Sequence, residues 1–205
     1  MVSPLIHGIA LGFGTALMIG PVFFTLLKNS MQGRKLYGIL TALGIITSDI
    51  IVVIICLLLS QEFLIYYVNQ LGFQLFGIAI LIFIGISFII KPIELPTQNS
   101  KLPSKQSLKT FIQGFSINFI NPAVFLIWIG FIAIGNQKFT EKFDVYTFII
   151  GILFGIFSTD ILKVFAAVSI SKYLKSNKLV VFSKILGLVL ITIALFILAK
   201  VILSF

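Results

Sequence analysis

The sequence predicts an all-α integral membrane protein, with six transmembrane helices arranged as two inverted three-helix repeats. Two observations carry the membrane assignment and a third carries the repeat. Of the 205 residues, 59% are hydrophobic and only 10% are charged, whereas a soluble domain holds about 25% charged residues. The apolar residues collect in six runs of spanning length, and the mean hydropathy is +1.18. Within two of those runs one pattern occurs twice. Gly44-Ile45-Ile46-Thr47-Ser48-Asp49-Ile50-Ile51 returns as Gly155-Ile156-Phe157-Ser158-Thr159-Asp160-Ile161-Leu162. Each copy sets one carboxylate near mid-span, where an ionised group costs roughly 2.5–3.5 kcal/mol on insertion scales.

The runs lie at about 5–27, 37–59, 64–90, 111–135, 145–170 and 180–203, each of the roughly 20 residues that a bilayer core demands. A backbone surrounded by lipid has to satisfy its own hydrogen bonds, so every run is expected to be a helix. The first carries Gly8, Gly12 and Gly14 at spacings that allow close helix packing, then Gly20-Pro21. It has neither a basic leader nor a small-x-small cleavage site, and is expected to be a retained helix. The second holds Asp49, and the third is apolar bulk. Residues 91–110, with Pro92, Pro96, Pro103 and four lysines, form the one long connection. The chain is thereby divided into a first repeat (1–90), a cytoplasmic linker (91–110) and a second repeat (111–205). The fourth run carries Asn118 and Asn121-Pro122, the fifth Gly151, Gly155 and Asp160, and the sixth completes the second repeat.

Basic residues orient the chain. The first, third and fifth connections hold Lys28, Arg34 and Lys35; Lys91, Lys101, Lys105 and Lys109; and Lys172, Lys175, Lys178 and Lys184. The opposite side has Lys138, Lys142 and Lys200. The odd connections are therefore expected in the cytoplasm and both termini outside. Three crossings per half make two related halves run oppositely through the bilayer, an arrangement many secondary transporters share. The acids fall in the second helix of each half, and Gly20-Pro21 and Asn121-Pro122 fall in the first.

These positions supply the candidate site. Pro21 lacks an N–H and its ring crowds the preceding turn, so the Leu17 carbonyl is expected to lose its helical donor. Gly20, pushed from helical angles by the proline, tolerates this at little cost. Pro122 is expected to free the Asn118 carbonyl in the same way. Broken helices at that depth offer backbone groups to a polar ligand; the alternative is a tolerated kink. Asp49 and Asp160 are candidates to bind a proton or a cationic amine, because intramembrane acids mark ion or proton pathways. Lys163 stands three residues after Asp160, and either pairs with it or snorkels to the interface. If it pairs, Asp49 is the better carrier. Asn118 and Asn121 share a face and either hold substrate or bond helix to helix. Thr15, Thr47, Ser48, Ser158 and Thr159 are expected to return hydroxyl bonds to their own backbone.

Several function classes fall away. The net charge of +9 collects in connections between apolar runs, so it reads as topology and no nucleic-acid partner is expected. Cys56 is the single cysteine and reads as a small buried residue, which leaves no disulfide or thiol pair. His7 is the single histidine, and no metal site, cofactor site or nucleophile–base set is expected. Gly12-x-Gly14 follows no strand and completes no dinucleotide fingerprint. Small-residue faces leave room for a homodimer.

With these features placed, the sequence resembles the LysE/RhtB family of amino-acid exporters. The likeness rests on size, six hydrophobic spans, the glycine-rich first helix ending in Gly20-Pro21, Gly33-x-x-x-x-Gly38, Asp49, and Asn118-x-x-Asn121-Pro122. The chain has Ile19 and Ala123 where that family often has proline and lysine. The resemblance implies export of an amino acid or related metabolite by proton antiport across the plasma (inner) membrane of a bacterium. Asp49 and Asp160 would take the amine or a proton, and the broken helices the carboxylate. Two alternatives stand beside it: an inorganic-ion exporter on the same fold, since carboxylates and carbonyls suit hard cations, and a membrane-embedded enzyme or non-transporting assembly subunit.

Overall fold

A computed structural model describes residues 3–18, 20–31, 35–59, 70–90, 106–170 and 176–203, and among them every regular element is helical. The elements are α1 (Pro4–Gly14), a 3-10 turn (Thr15–Leu17), α2 (Pro21–Met31), α3 (Lys35–Leu58), α4 (Leu71–Ile90), α5 (Gln106–Phe119), α6 (Pro122–Lys138), α7 (Lys142–Ile170) and α8 (Ser176–Leu203). Pro4, Pro21 and Pro122 each open a helix, where the missing N–H would have no helical partner anyway. Most of the proline- and lysine-rich linker, with Arg34, Lys172 and Lys175, lies outside the described residues.

By length and composition, Lys35–Leu58, Lys142–Ser169 and Ser183–Leu203 can each cross a bilayer. Ser107–Phe119 and Ala123–Lys138, bent by 65°, make a fourth crossing if they are one span. The first expected span is not continuous. It is cut after the 3-10 turn into α1 and α2, each of 11 residues, because Pro21 cannot extend a helix backwards through residue 20.

The helices form two compact units. One takes Met1–Leu58 with Pro96–Lys172, the other Leu59–Leu95 with Tyr173–Phe205. The second is the α4–α8 pair, closed by Ile78, Ala194 and Val201, with Gly85 and Gly187 each set against the other's carbonyl. In the first unit, Leu26, Ala42, Ile45 and Val164 join α2, α3 and α7.

Two close helix contacts build the first unit, and both depend on absent side chains. α1 meets α7 where Gly8 and Gly12 lie on the carbonyls of Phe148 and Ile152, and Gly151 and Gly155 on those of Leu5 and Ile9. α3 meets α5 where Gly44 lies on the carbonyl of Phe111 and Gly114 on that of Thr41. A Cβ at any of these would enter backbone, which is why small residues mark such contacts. These faces are filled within the chain, so the small-residue reason for a homodimer does not extend to them.

Gly155→Leu should lower stability by about 1–3 kcal/mol through overpacking, seen as a lower melting temperature of detergent-purified protein. Gly14→Ala, with nothing within 4 Å of its built Cβ, should leave it unchanged. Equal melting temperatures for the two would sink the close-packing account.

Candidate functional site

A carboxylate inside an apolar helix needs donors or a cation around it. The first unit meets its two acids differently. Asp49, buried on α3, accepts at Oδ1 from Asn118 Nδ2 on α5 at 2.9 Å and from Trp128 Nε1 on α6 at 3.0 Å. Asn118 Nδ2 also lies 3.2 Å from Ser48 Oγ and 3.4 Å from the Ile45 carbonyl. The amide reaches this far because Gly44 and Gly114 let α3 and α5 approach backbone to backbone. Trp128 reaches the same oxygen because the chain turns at Ile120–Asn121. There the Asn121 N–H donates to the Asn118 carbonyl at 3.2 Å, and Asn121 Oδ1 accepts from Ala123 N at 3.1 Å.

That break corrects one expectation. The Asn118 carbonyl is not freed by Pro122, because a tightened last turn hands it the Asn121 N–H. Asn121 caps α6 while Asn118 binds α3, so the two amides have separate tasks. The sequence left open whether Asn118 bonds helix to helix; it does, and its partner is the acid.

Asp160, buried on α7, is paired with Lys163 Nζ at 3.0 Å. Of the two courses open to Lys163, the ion pair is the one taken. The two carboxylates stand on α3 and α7, helices that share a packed core.

The other break lies between α1 and α2. Leu17 closes the 3-10 turn, Met18 is extended, and the Gly20 carbonyl accepts from Phe24 N at 3.2 Å. Pro21 is buried, and open space surrounds the position a Cβ of Gly20 would take. No hydrogen bond links Leu17, Gly20 or Pro21 to either acid among the described residues. The hydroxyls of Thr15, Thr47, Ser158 and Thr159 return to their own backbone as expected; Ser48 instead accepts from Asn118. Among the described residues no three His, Cys, Asp or Glu side chains gather as metal ligands.

Two features were not singled out in the sequence. Trp128 carries a visible signal, being the only tryptophan in a chain of 22 phenylalanines, yet its partner is distant in sequence. The second is a buried bridge in which Asn29 Nδ2 donates to Thr41 Oγ1 at 2.9 Å and Gln113 Oε1 at 3.3 Å, joining α2, α3 and α5.

Residues 13–201 match the family model described as LysE type translocator. No curated protein and no solved structure matches the chain.

Lys163→Met should cost about 3–5 kcal/mol, since it strands a buried charge. Adding Asp160→Asn should recover most of that loss. Melting temperatures of the single and double variants decide it: equal destabilisation would show that the pair is not coupled.

Proposed function

The chain belongs to the LysE type translocator family, and we propose that it exports an amino acid or a related small metabolite in exchange for protons. Membership makes it a multi-pass membrane exporter with a small-molecule substrate, from a family of transporters rather than enzymes. The observation that carries the finer reading is the unequal treatment of the acids. Asp160 has a built-in cation in Lys163. Among the described residues, Asp49 has only the neutral donors Asn118 and Trp128. A buried carboxylate without a resident cation is completed by one it can exchange, either a proton or a substrate amine. The substrate carboxylate is assigned to the first turn of α2, whose N–H groups adjoin the open space at Gly20, a position suited to an anion.

The transmembrane arrangement is proposed as six crossings, with α1–α2 and α5–α6 each forming one broken span. Inverted repeats of 1–90 and 111–205 are supported by the glycine contacts. In each half the broken helix lies on the acid-bearing helix of the other: Gly12 on the Ile152 carbonyl, Gly114 on that of Thr41. Thr41 and Ile152 stand at the same offset before Asp49 and Asp160. Shifting broken helices against the acid-bearing ones would then expose the site to each side in turn. The distribution of basic residues supports both termini outside, and the family likeness supports a bacterial inner membrane.

Proteoliposomes loaded with labelled amino acids should lose one or a few of them when a proton gradient is imposed. Asp49→Asn should bring that efflux down to the level of empty vesicles while the protein remains folded and inserted. Wild-type efflux from the variant would remove Asp49 from the mechanism. Carboxylate oxygens also suit a hard cation, so vesicles that retain every amino acid but release a divalent cation would favour the inorganic-ion reading. In intact cells, tags at either terminus should react with an impermeant label; protection of both would reverse the orientation.

A further inference from the structure

We propose that Trp128 is a positioning residue for Asp49, and that Trp128 and Asn118 tie the two limbs of the broken α5–α6 helix to one carboxylate oxygen, so that the charge on Asp49 sets the angle of the break. This rests on the transporter reading for its purpose, but its geometry stands alone. The donors come from opposite sides of the break, Asn118 from the limb before it and Trp128 from the limb after it. They converge on Oδ1 at 2.9 and 3.0 Å. The limbs they belong to meet at 65°. Hydrogen bonds to an ionised acceptor are roughly twice as strong as neutral ones, and a dry surrounding strengthens them further. When Asp49 takes a proton, or a cationic amine draws off its charge, both donors face a weaker acceptor.

The limbs lose unequally. Asn118 has a second acceptor in Ser48 Oγ at 3.2 Å, on the same helix as Asp49. Its limb is also held to α3 by the Gly44 and Gly114 contacts. Trp128 has one N–H and no acceptor atom, so the bond to Asp49 is the whole polar tie of its ring. The far end of α6 stays seated, with a Cβ at Gly135 falling 3.1 Å from Phe148 and 3.3 Å from Val145 of α7. Neutralising Asp49 therefore leaves α5 in place and frees the first half of α6 to swing about its far end. Charge binding at one oxygen becomes movement of one helix.

The surroundings single out Asp49 as the group that responds. On α7, which packs against α3, stand Asp160 and Lys163, paired with each other. α5 and α6 present neutral donors. Lys28 on α2, Lys109 on α5 and Lys138 on α6 are exposed near helix ends.

The test uses the only tryptophan in the chain, which makes its emission a readout of this oxygen, together with a distance across the break. Spin labels at Leu108→Cys and Leu126→Cys, both exposed, are placed on a Cys56→Ser background of the full chain in detergent. In the protein with native Asp49 and Trp128, emission and label distance should both change between alkaline and acid pH. Asp49→Asn should hold both at their acid values at every pH. Trp128→Phe, which keeps an aromatic ring and deletes the N–H, should hold the distance at its acid value. It should also bring export down to the level of empty vesicles, because a limb that no longer follows the charge on Asp49 cannot move with it. Trp128→Phe keeps the proposal testable should Asp49→Asn not fold. A distance that is fixed with pH, or that titrates equally in either variant, overturns the proposal even if emission titrates. Protein that titrates and moves but exports nothing sinks the transporter reading and leaves the clamp; protein that exports without moving does the reverse.

Discussion

The first unit is built around the need to keep a carboxylate inside an apolar helix. Asp49 sits where water cannot solvate it, and each unmet acceptor there costs several kcal/mol. Meeting it takes a side-chain amide from α5 and an indole from α6. The amide is in reach only because α3 and α5 approach at Gly44 and Gly114. The indole is in reach only because the chain breaks before Pro122 and sets off at a new angle. The Asn121 cap and the shortened turn at Asn118 then satisfy the backbone groups that the break disturbs. Helix spacing, break and caps are parts of one solution.

The two copies of the acid motif are alike in sequence and unlike in chemistry. Asp160 takes its counter-charge from Lys163, one turn along the same helix, so its neutralisation is complete within α7. Asp49 has hydrophobic residues at the corresponding places and draws its donors from two other segments. A local ion pair needs no particular arrangement of neighbours. A carboxylate shared between helices depends on that arrangement and can report it. With one acid fixed by its own lysine, the other is left as the group whose charge can vary.

Much of this was legible in the sequence, and the remainder shares one physical cause. The acids were visible because a charge in an apolar run is expensive wherever the run goes. The breaks were visible because proline acts on its own turn, and the Lys163 pair was one of two local alternatives. Glycine spacing marked α1 and α7 as helices able to pack closely, but not that they would meet each other. The partners of Asp49 were not visible, since Asn118 and Trp128 are joined to it only by the fold. Sequence spacing treats Asn118 and Asn121 as one amide face, whereas the break separates them into a ligand of the acid and a cap. The expected freeing of the Asn118 carbonyl failed for a related reason: a helix end can tighten by one residue and recruit the next N–H.

The buried bridge at Asn29 explains why the broken helix has a fixed limb and a looser one. Asn29 of α2 joins Thr41 of α3 to Gln113 of α5, and Thr41 Oγ1 in turn donates to the Tyr37 carbonyl at 2.8 Å. Thr41 is also the residue on whose carbonyl Gly114 rests. α5 is thus fastened to α3 near Thr41 by polar and close-packed contacts, and again near Asp49 by Asn118. Two attachments along one helix prevent it from pivoting. α6 has its polar attachment to α3 through Trp128, and its other contacts with α3 and α7 are apolar. Apolar contacts tolerate sliding because they have no direction, whereas hydrogen bonds hold an angle. A frame of α2, α3 and α5, with α6 leaning on it through a single charge-dependent bond, is what converts neutralisation of one oxygen into motion of one segment.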